Sequence, residues 1–244
     1  MKLGFQRWDD ILFLHWEVPV EALARVVDRR LEIDTFAGRA FVSMTPFTLM
    51  DARVRFMPPL PGLSQFDEVN LRTYVRHRDR SGIWFFSLDA SSPLAVAMAR
   101  ATFGLPYVAA KIRRWRVREE RHYEAERISG DPPASLRVAW EPGRELGPHS
   151  VGTLEHFLVE RYSLFSRTPG AALIRVDVTH PQWPLREARL IHVEESLAKA
   201  AQLPGPGEKR WFHASPGVGV TFTGVAMVEP PSPASRLRTA RQLA

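Results

Sequence analysis

The chain has 244 residues and a net charge of +6, and its 45% hydrophobic and 25% charged content, with fourteen Phe and seven Trp, describes a folded body able to bury a sizeable core. It contains no cysteine, which excludes disulfides, thiolate metal centres, iron–sulfur clusters and a cysteine nucleophile. The first ten residues lack a signal core, and no apolar stretch approaches the ~18 residues of a membrane span, so a cytoplasmic protein without a membrane partner is expected.

Pro19 followed by Val20 to Asp28 predicts a short amphipathic helix with proline at its first turn. Leu31–Phe36 and Arg39–Met44 flank Ala37-Gly38 and predict a hairpin. The run Met57 to Ser64, with Pro58, Pro59 and Pro61, is too rich in proline for a regular element and predicts a rim loop. Val69–Arg76 alternates with period two, and Gly82–Asp89 is apolar on both faces, as a central strand would be. Ser91-Ser92-Pro93 caps an alanine-rich helix from Leu94 to Phe103, which Gly104 ends.

Strands from Tyr107 to Arg118, His122 to Ile128 and Leu136 to Trp140 follow as an antiparallel meander. Thr153 caps a helix over Leu154–Tyr162, strands return at Leu173–Val178 and Glu187–Val193, and Trp211–Ala214 and Val218–Val228 complete the set, with glycines permitting bends. Without a repeat or a clean linker, one domain over 1–228 is expected, followed by a flexible basic tail over 229–244.

The signatures HExxH, Walker A, GxGxxG and GxSxG are absent, so the common metal, hydrolase and nucleotide machineries are not indicated, and no metal or cofactor is expected. Basic residues are interspersed with acids, as in Lys111 to Arg118 followed by Glu119 and Glu120, which argues against a nucleic-acid partner despite the charge. Asn70, Arg72 and Tyr74 stand at i, i+2 and i+4, so they share one strand face. That face meets water on an open sheet, but in a closed one it lines a cavity, where Arg72 offers a planar fork to a carboxylate.

Lys111 is a candidate Schiff-base amine with Arg113 on its own face, and His180 a candidate acid or base on the proline-bounded loop that also presents Trp183. His15 beside Glu17 and Glu155 beside His156 suggest a metal ligand or a base only if other ligands converge on them, and His156 with Glu160 one turn on is a spacing equally served by a surface ion pair.

Several segments resemble the bacterial YqjF-like family, placed in the acetoacetate-decarboxylase-like superfamily. They are Phe13-Leu14-His15-Trp16, Pro46-Phe47, Phe66 to Val75, Trp84 to Ala90, Phe103-Gly104-Leu105-Pro106-Tyr107, Glu160-Arg161-Tyr162 and His180 to Leu185, spread from about residue 11 to 228. The resemblance implies an α+β, mainly antiparallel body in which a curved sheet closes into a cone or barrel with a few peripheral helices. In the decarboxylases a lysine pair follows a Gly-x-Pro segment and one lysine forms a Schiff base. Here Tyr107 and Val108 follow Gly104-Leu105-Pro106, and the nearest lysine is Lys111.

The leading expectation is therefore a domain binding a small organic acid or carbonyl compound, with or without catalysis, at a wall bearing Asn70, Arg72, Tyr74 and Lys111. The alternatives are a non-catalytic structural or interaction protein that retains the fold and, more weakly, a nucleic-acid contact through the basic surface. Self-association is compatible with the resemblance and with strand edges.

Overall fold

The computed structural model describes residues 2–60, 62–128, 132–168 and 170–228, so the expected tail over 229–244 lies outside the described residues. Twelve strands and four helices follow in the order β1 (Gly4–Val18), α1 (Val20–Val26), β2 (Glu32–Ile33), β3 (Ala40–Val54), β4 (Phe66–His77), β5 (Arg80–Ala90), α2 (Pro93–Phe103), β6 (Tyr107–Val117), β7 (Glu120–Arg127), β8 (Ser135–Glu145), α3 (Leu154–Val159), β9 (Ser163–Arg167), β10 (Leu173–Thr179), β11 (Arg186–Glu195), α4 (Leu197–Ala200) and β12 (Arg210–Met227). All strands join one hydrogen-bonded sheet, antiparallel except where β5 meets β6 and β9.

The sheet closes on itself. β1, β3, β4, β5, β9, β10 and β12 pair in sequence, and β12 returns to β1, which makes a seven-stranded circuit without a free edge. A second circuit leaves this one at β5, runs through β6, β7, β8 and β11, and rejoins at β12. Between these junction strands the two share β1, β3 and β4, whose central residues are buried on both faces. One apolar cluster, with Phe13, Phe41, Phe47, Ile83, Phe85, Val176 and Val220, lines the first circuit. The other, with Leu14, Trp16, Met44, Leu71, Tyr123 and Trp140, lies across the shared wall and is covered by α1 and α4 as well.

The alanine-rich helix forms as predicted: the Ser92 hydroxyl accepts from the Ala95 amide, and Gly104 ends the helix in the left-handed region at φ 60. Gly104 also has no room for a side chain, because a Cβ there would stand 2.4 Å from the Arg167 carbonyl. The Ala37-Gly38 turn is present with both residues at positive φ, but it is closed only by the Phe36–Arg39 bridge, and the short strand before it pairs with β4 instead of β3. The last two predicted strands are one, bent at Gly217, where a Cβ would lie 2.0 Å from the Trp8 carbonyl oxygen.

Candidate functional site

The polar residues of β4 point into the first circuit. Along that strand Phe66, Glu68, Asn70, Arg72 and Tyr74 alternate with Asp67, Val69, Leu71, Thr73 and Val75, and the first set packs with the inner cluster. Register brings further polar groups alongside: Arg72 lies opposite Ser43 of β3, Ser43 opposite His15 of β1, and Asn70 opposite Thr45. Directly opposed residues on one face have Cβ atoms about 5 Å apart, so His15, Ser43 and Arg72 form a row across three adjacent strands.

Burial here is nearly complete, with Arg72 5% exposed, Glu68 2% and His15 0%. Six buried polar atoms of this row and its neighbours have no hydrogen-bond partner: Arg72 Nε and Nη2, His15 Nε2, Ser43 Oγ, Thr45 Oγ1 and Asn70 Oδ1. Native interiors leave few such atoms, so their concentration in one place calls for an explanation. Arg72 makes no ion pair among the described residues and its guanidinium carbon sits 5.7 Å from the Phe13 ring centroid; burial pushes its pKa down from the usual arginine value.

The state of His15 follows from its neighbours. The Tyr74 hydroxyl has one proton and donates it to the Leu158 carbonyl at 2.8 Å, so at 3.0 Å it accepts from His15 Nδ1–H. This tautomer leaves Nε2 as a bare acceptor. Burial, with His213 and Arg72 nearby, holds the His15 pKa well below the ordinary histidine value and keeps the ring neutral.

Glu68 stands farther along the same face. Burial pushes its carboxyl up to about 8, against the opposing pull of hydrogen bonds from Tyr107 and Asn70. The Tyr107 hydroxyl donates to Glu68 Oε2 at 2.9 Å. Tyr107 is the first residue after Gly104-Leu105-Pro106, so a buried phenol occupies the place where the resemblance implies a lysine.

The two ends of the circuit differ. At one, α3 and the following turn close over Tyr74: Phe157 packs 5.1 Å from its ring, and Arg161, paired with buried Asp34 at 2.7 Å, lies over both rings. At the other, Phe66 belongs to the inner cluster and also lines a groove of about 650 Å³ bounded by Thr48, Leu60, Ser64, Asp67 and Arg114.

The structure unites only some of the predicted site residues. Asn70, Arg72 and Tyr74 converge as described. Trp183 is buried as packing, edge-on to Phe13 at 5.0 Å and stacked on Trp8 at 6.2 Å, with its backbone N–H held by Glu160 at 3.0 Å. His180 is half-buried outside the cluster; its ring stacks on Tyr162 at 4.6 Å and Nδ1 lies 2.8 Å from the Pro181 carbonyl.

Lys111 is exposed, because β6 beyond Ala110 pairs with β7 alone and is mostly exposed, and it does not join the interior row. Lys2, Lys199 and Lys209 are exposed too, so none of the chain's four lysines lies inside. Glu160 engages His149 at 2.7 Å in place of His156. Among the described residues no group of three or more His, Asp or Glu side chains could hold a metal ion, and no helix is long and apolar enough to cross a membrane.

Ser43, Thr45, Glu68 and Tyr107 are not singled out as ligand-binding residues by the sequence, and His15 is singled out only as a metal ligand or base. Glu68 was within reach of the period-two argument, one step before Asn70 on the same face. Ser43 and Thr45 carried no such signal, because their roles depend on which strands flank β3.

The model of the DUF2071 family, described as an uncharacterised conserved protein, matches residues 5–219. The chain is 39% identical over 183 residues to the uncharacterised protein YqjF of Bacillus subtilis (strain 168), covering 75% of each. Its fold is similar to the enduracididine biosynthesis enzyme MppR complexed with pyruvate, with a TM-score of 0.65 at 12% identity, covering 94% of this chain and 92% of that one. It is also similar to acetoacetate decarboxylase from Legionella pneumophila subsp. pneumophila str. Philadelphia 1, with a TM-score of 0.63 at 13% identity over 93% and 87% of the two chains. Identities this low show a shared fold alone. The chain belongs to the DUF2071 family and has the acetoacetate-decarboxylase-like fold.

Proposed function

We propose that this protein binds a small organic acid or carbonyl compound inside the seven-stranded circuit, with Arg72 as the partner of its carboxylate. The observation that carries this reading is a buried guanidinium with two unpartnered nitrogens and no counter-ion among the described residues. An unpaired buried charge costs of the order of several kcal/mol, a cost that a bound carboxylate offsets through two parallel N–H···O bonds. His15 Nε2 and Asn70 Oδ1 supply acceptors for a hydroxyl or amide on the same ligand. The pyruvate complex of the structural relative lends support, since a 2-oxo acid pairs a carboxylate with a carbonyl.

Recognition in this reading is non-covalent. A Schiff base needs an amine beside the bound carbonyl, and the position after Gly104-Leu105-Pro106 holds Tyr107. Any proton transfer falls to Glu68, whose carboxyl is protonated near neutral pH and sits on the same face as Arg72.

The test is calorimetric titration with a panel of 2-oxo and 2-hydroxy acids and their amides, on the natural chain and on Arg72→Met. Saturable binding of an acid but not its amide, weakened at least tenfold in a folded Arg72→Met variant, is expected. Equal binding to both proteins would remove Arg72 from the site.

A further inference from the structure

Across the shared wall lies a second cavity, of about 160 Å³, lined by residues of β1, β3, β6, β7 and β8 that include Arg114, Arg121, Tyr123 and Trp140. The geometry points to a second ligand site here, for a small aromatic monocarboxylate, separate from the Arg72 row.

The site is built around a displaced acid. Asp10 stands where the pairing of β1 with β3 shifts register, between Asp9 and Leu14, while its neighbours Asp9 and Ile11 keep an unbroken register with Gly217 and Ser215 of β12. Its φ of 50° lies in the left-handed region, which a non-glycine residue adopts only where its surroundings hold it. The turned carboxylate meets three guanidinium groups, Arg116 at 2.8 Å, Arg121 at 3.4 Å and Arg114 at 4.0 Å. Arg114 is shared with Asp67 at 3.5 Å and with the Thr48 hydroxyl.

Three guanidinium groups thus face the carboxylates of Asp10 and Asp67, and Asp9, paired with Arg7 at 3.0 Å, also acts on Arg114. On the adjacent turn, which carries Glu119 and Glu120, Glu120 lies 3.2 Å from His122. The acids already in the network make a dianionic phosphate a poorer match than a single carboxylate.

Two further features bear on the ligand. Tyr123 is 2% exposed and its hydroxyl has no hydrogen-bond partner. Burial and the Asp67 carboxylate push this phenol well above its ordinary pKa, so it stays a neutral O–H donor without an acceptor. The remaining walls are flat: Trp115 and His122 stack at 5.0 Å with planes 9° apart, and Trp140 and Phe47 close the apolar side. Liquid water allots about 30 Å³ to each molecule, so the volume suits about five waters or one benzoate-sized ring. In this arrangement Arg121 and Arg114 take the carboxylate, Tyr123 donates to it, and the ring lies against Trp140.

The test is a titration of the full chain with benzoate, followed through the indole N–H resonances of Trp115 and Trp140 as assigned with Trp→Phe variants. Saturable shifts at these two indoles are expected, with affinity falling at least tenfold in Arg121→Gln and several-fold in Tyr123→Phe, and unchanged in Arg72→Met. Tyr123→Phe keeps the ring and removes only the unpartnered hydroxyl, so it tests the site even if Arg121→Gln does not fold. Shifts confined to Trp8 and Trp183 and abolished by Arg72→Met would assign benzoate to the inner row and overturn the second site. Shifts that phosphate reproduces at equal ionic strength, or no saturable shift, would overturn it as well.

Discussion

Arg72 and Glu68 occupy one strand face and are buried in opposite senses, a cation without a counter-ion and an acid that keeps its proton. Arg72→Met replaces a desolvated charge with an apolar chain of similar length, so the variant is expected to melt higher than the natural chain, a gain of about 1–4 kcal/mol read by thermal unfolding. A lower melting temperature would show that the guanidinium is already satisfied in the folded protein. Glu68 makes stability depend on pH with a defined sign. Its folded value near 8 lies above the ordinary 4.5, so its contribution is fully present below pH 4.5 and is lost as pH rises through 8. Compared with Glu68→Gln, the natural chain is expected to lose stability across that window at up to about 1.4 kcal/mol per pH unit, as measured by urea unfolding at several pH values. His15 and His213, held below the ordinary histidine value by burial, act in the opposite direction under acid, which is why the comparison is made against the variant.

At the scale of elements, closure of the sheet depends on positions where two backbones pass closely. Gly217 of β12 has a φ of 118°, and a Cβ there would lie 2.0 Å from the Trp8 carbonyl and 2.8 Å from Asp9 Cα. Gly217→Ala is therefore expected to cost about 3 kcal/mol or more and to disturb the neighbouring Asp10 bulge, measured by denaturant unfolding. Ala substitution at Gly147, where nothing lies within 4 Å but φ is 71°, is the milder control at about 1 kcal/mol. The elements with local signals were the legible ones: the Ser92 cap, the Gly104 stop, the Thr153 cap and the β6–β7–β8 meander all form where the sequence indicates. β1 and β9 went unpredicted. β1 carries few turn signals and mixes polar with apolar residues up to Asp10, and β9 has only five residues.

For the whole molecule, two circuits sharing β1, β3 and β4 cannot open separately without exposing the inner face of the other. Unfolding followed by tryptophan fluorescence and by far-ultraviolet circular dichroism is expected to coincide in one transition, whereas two separated transitions would show that the circuits are independent. With every lysine outside, borohydride reduction in the presence of pyruvate should leave no specific adduct; one abolished by Lys111→Ala would contradict the non-covalent reading. The strand-rich class, the helix stops and the shared face of Asn70, Arg72 and Tyr74 were determined by the sequence itself, because turn chemistry and period-two alternation act over a few residues. Whether that face met solvent or an interior was decided only by the tertiary structure, because pairing β12 with both β1 and β10 joins residues up to about two hundred positions apart. The pairing of β1, β3 and β4 aligns His15, Ser43 and Arg72 across three strands, the long-range closure removes them from water and Lys111 stays outside, and no local pattern encodes this.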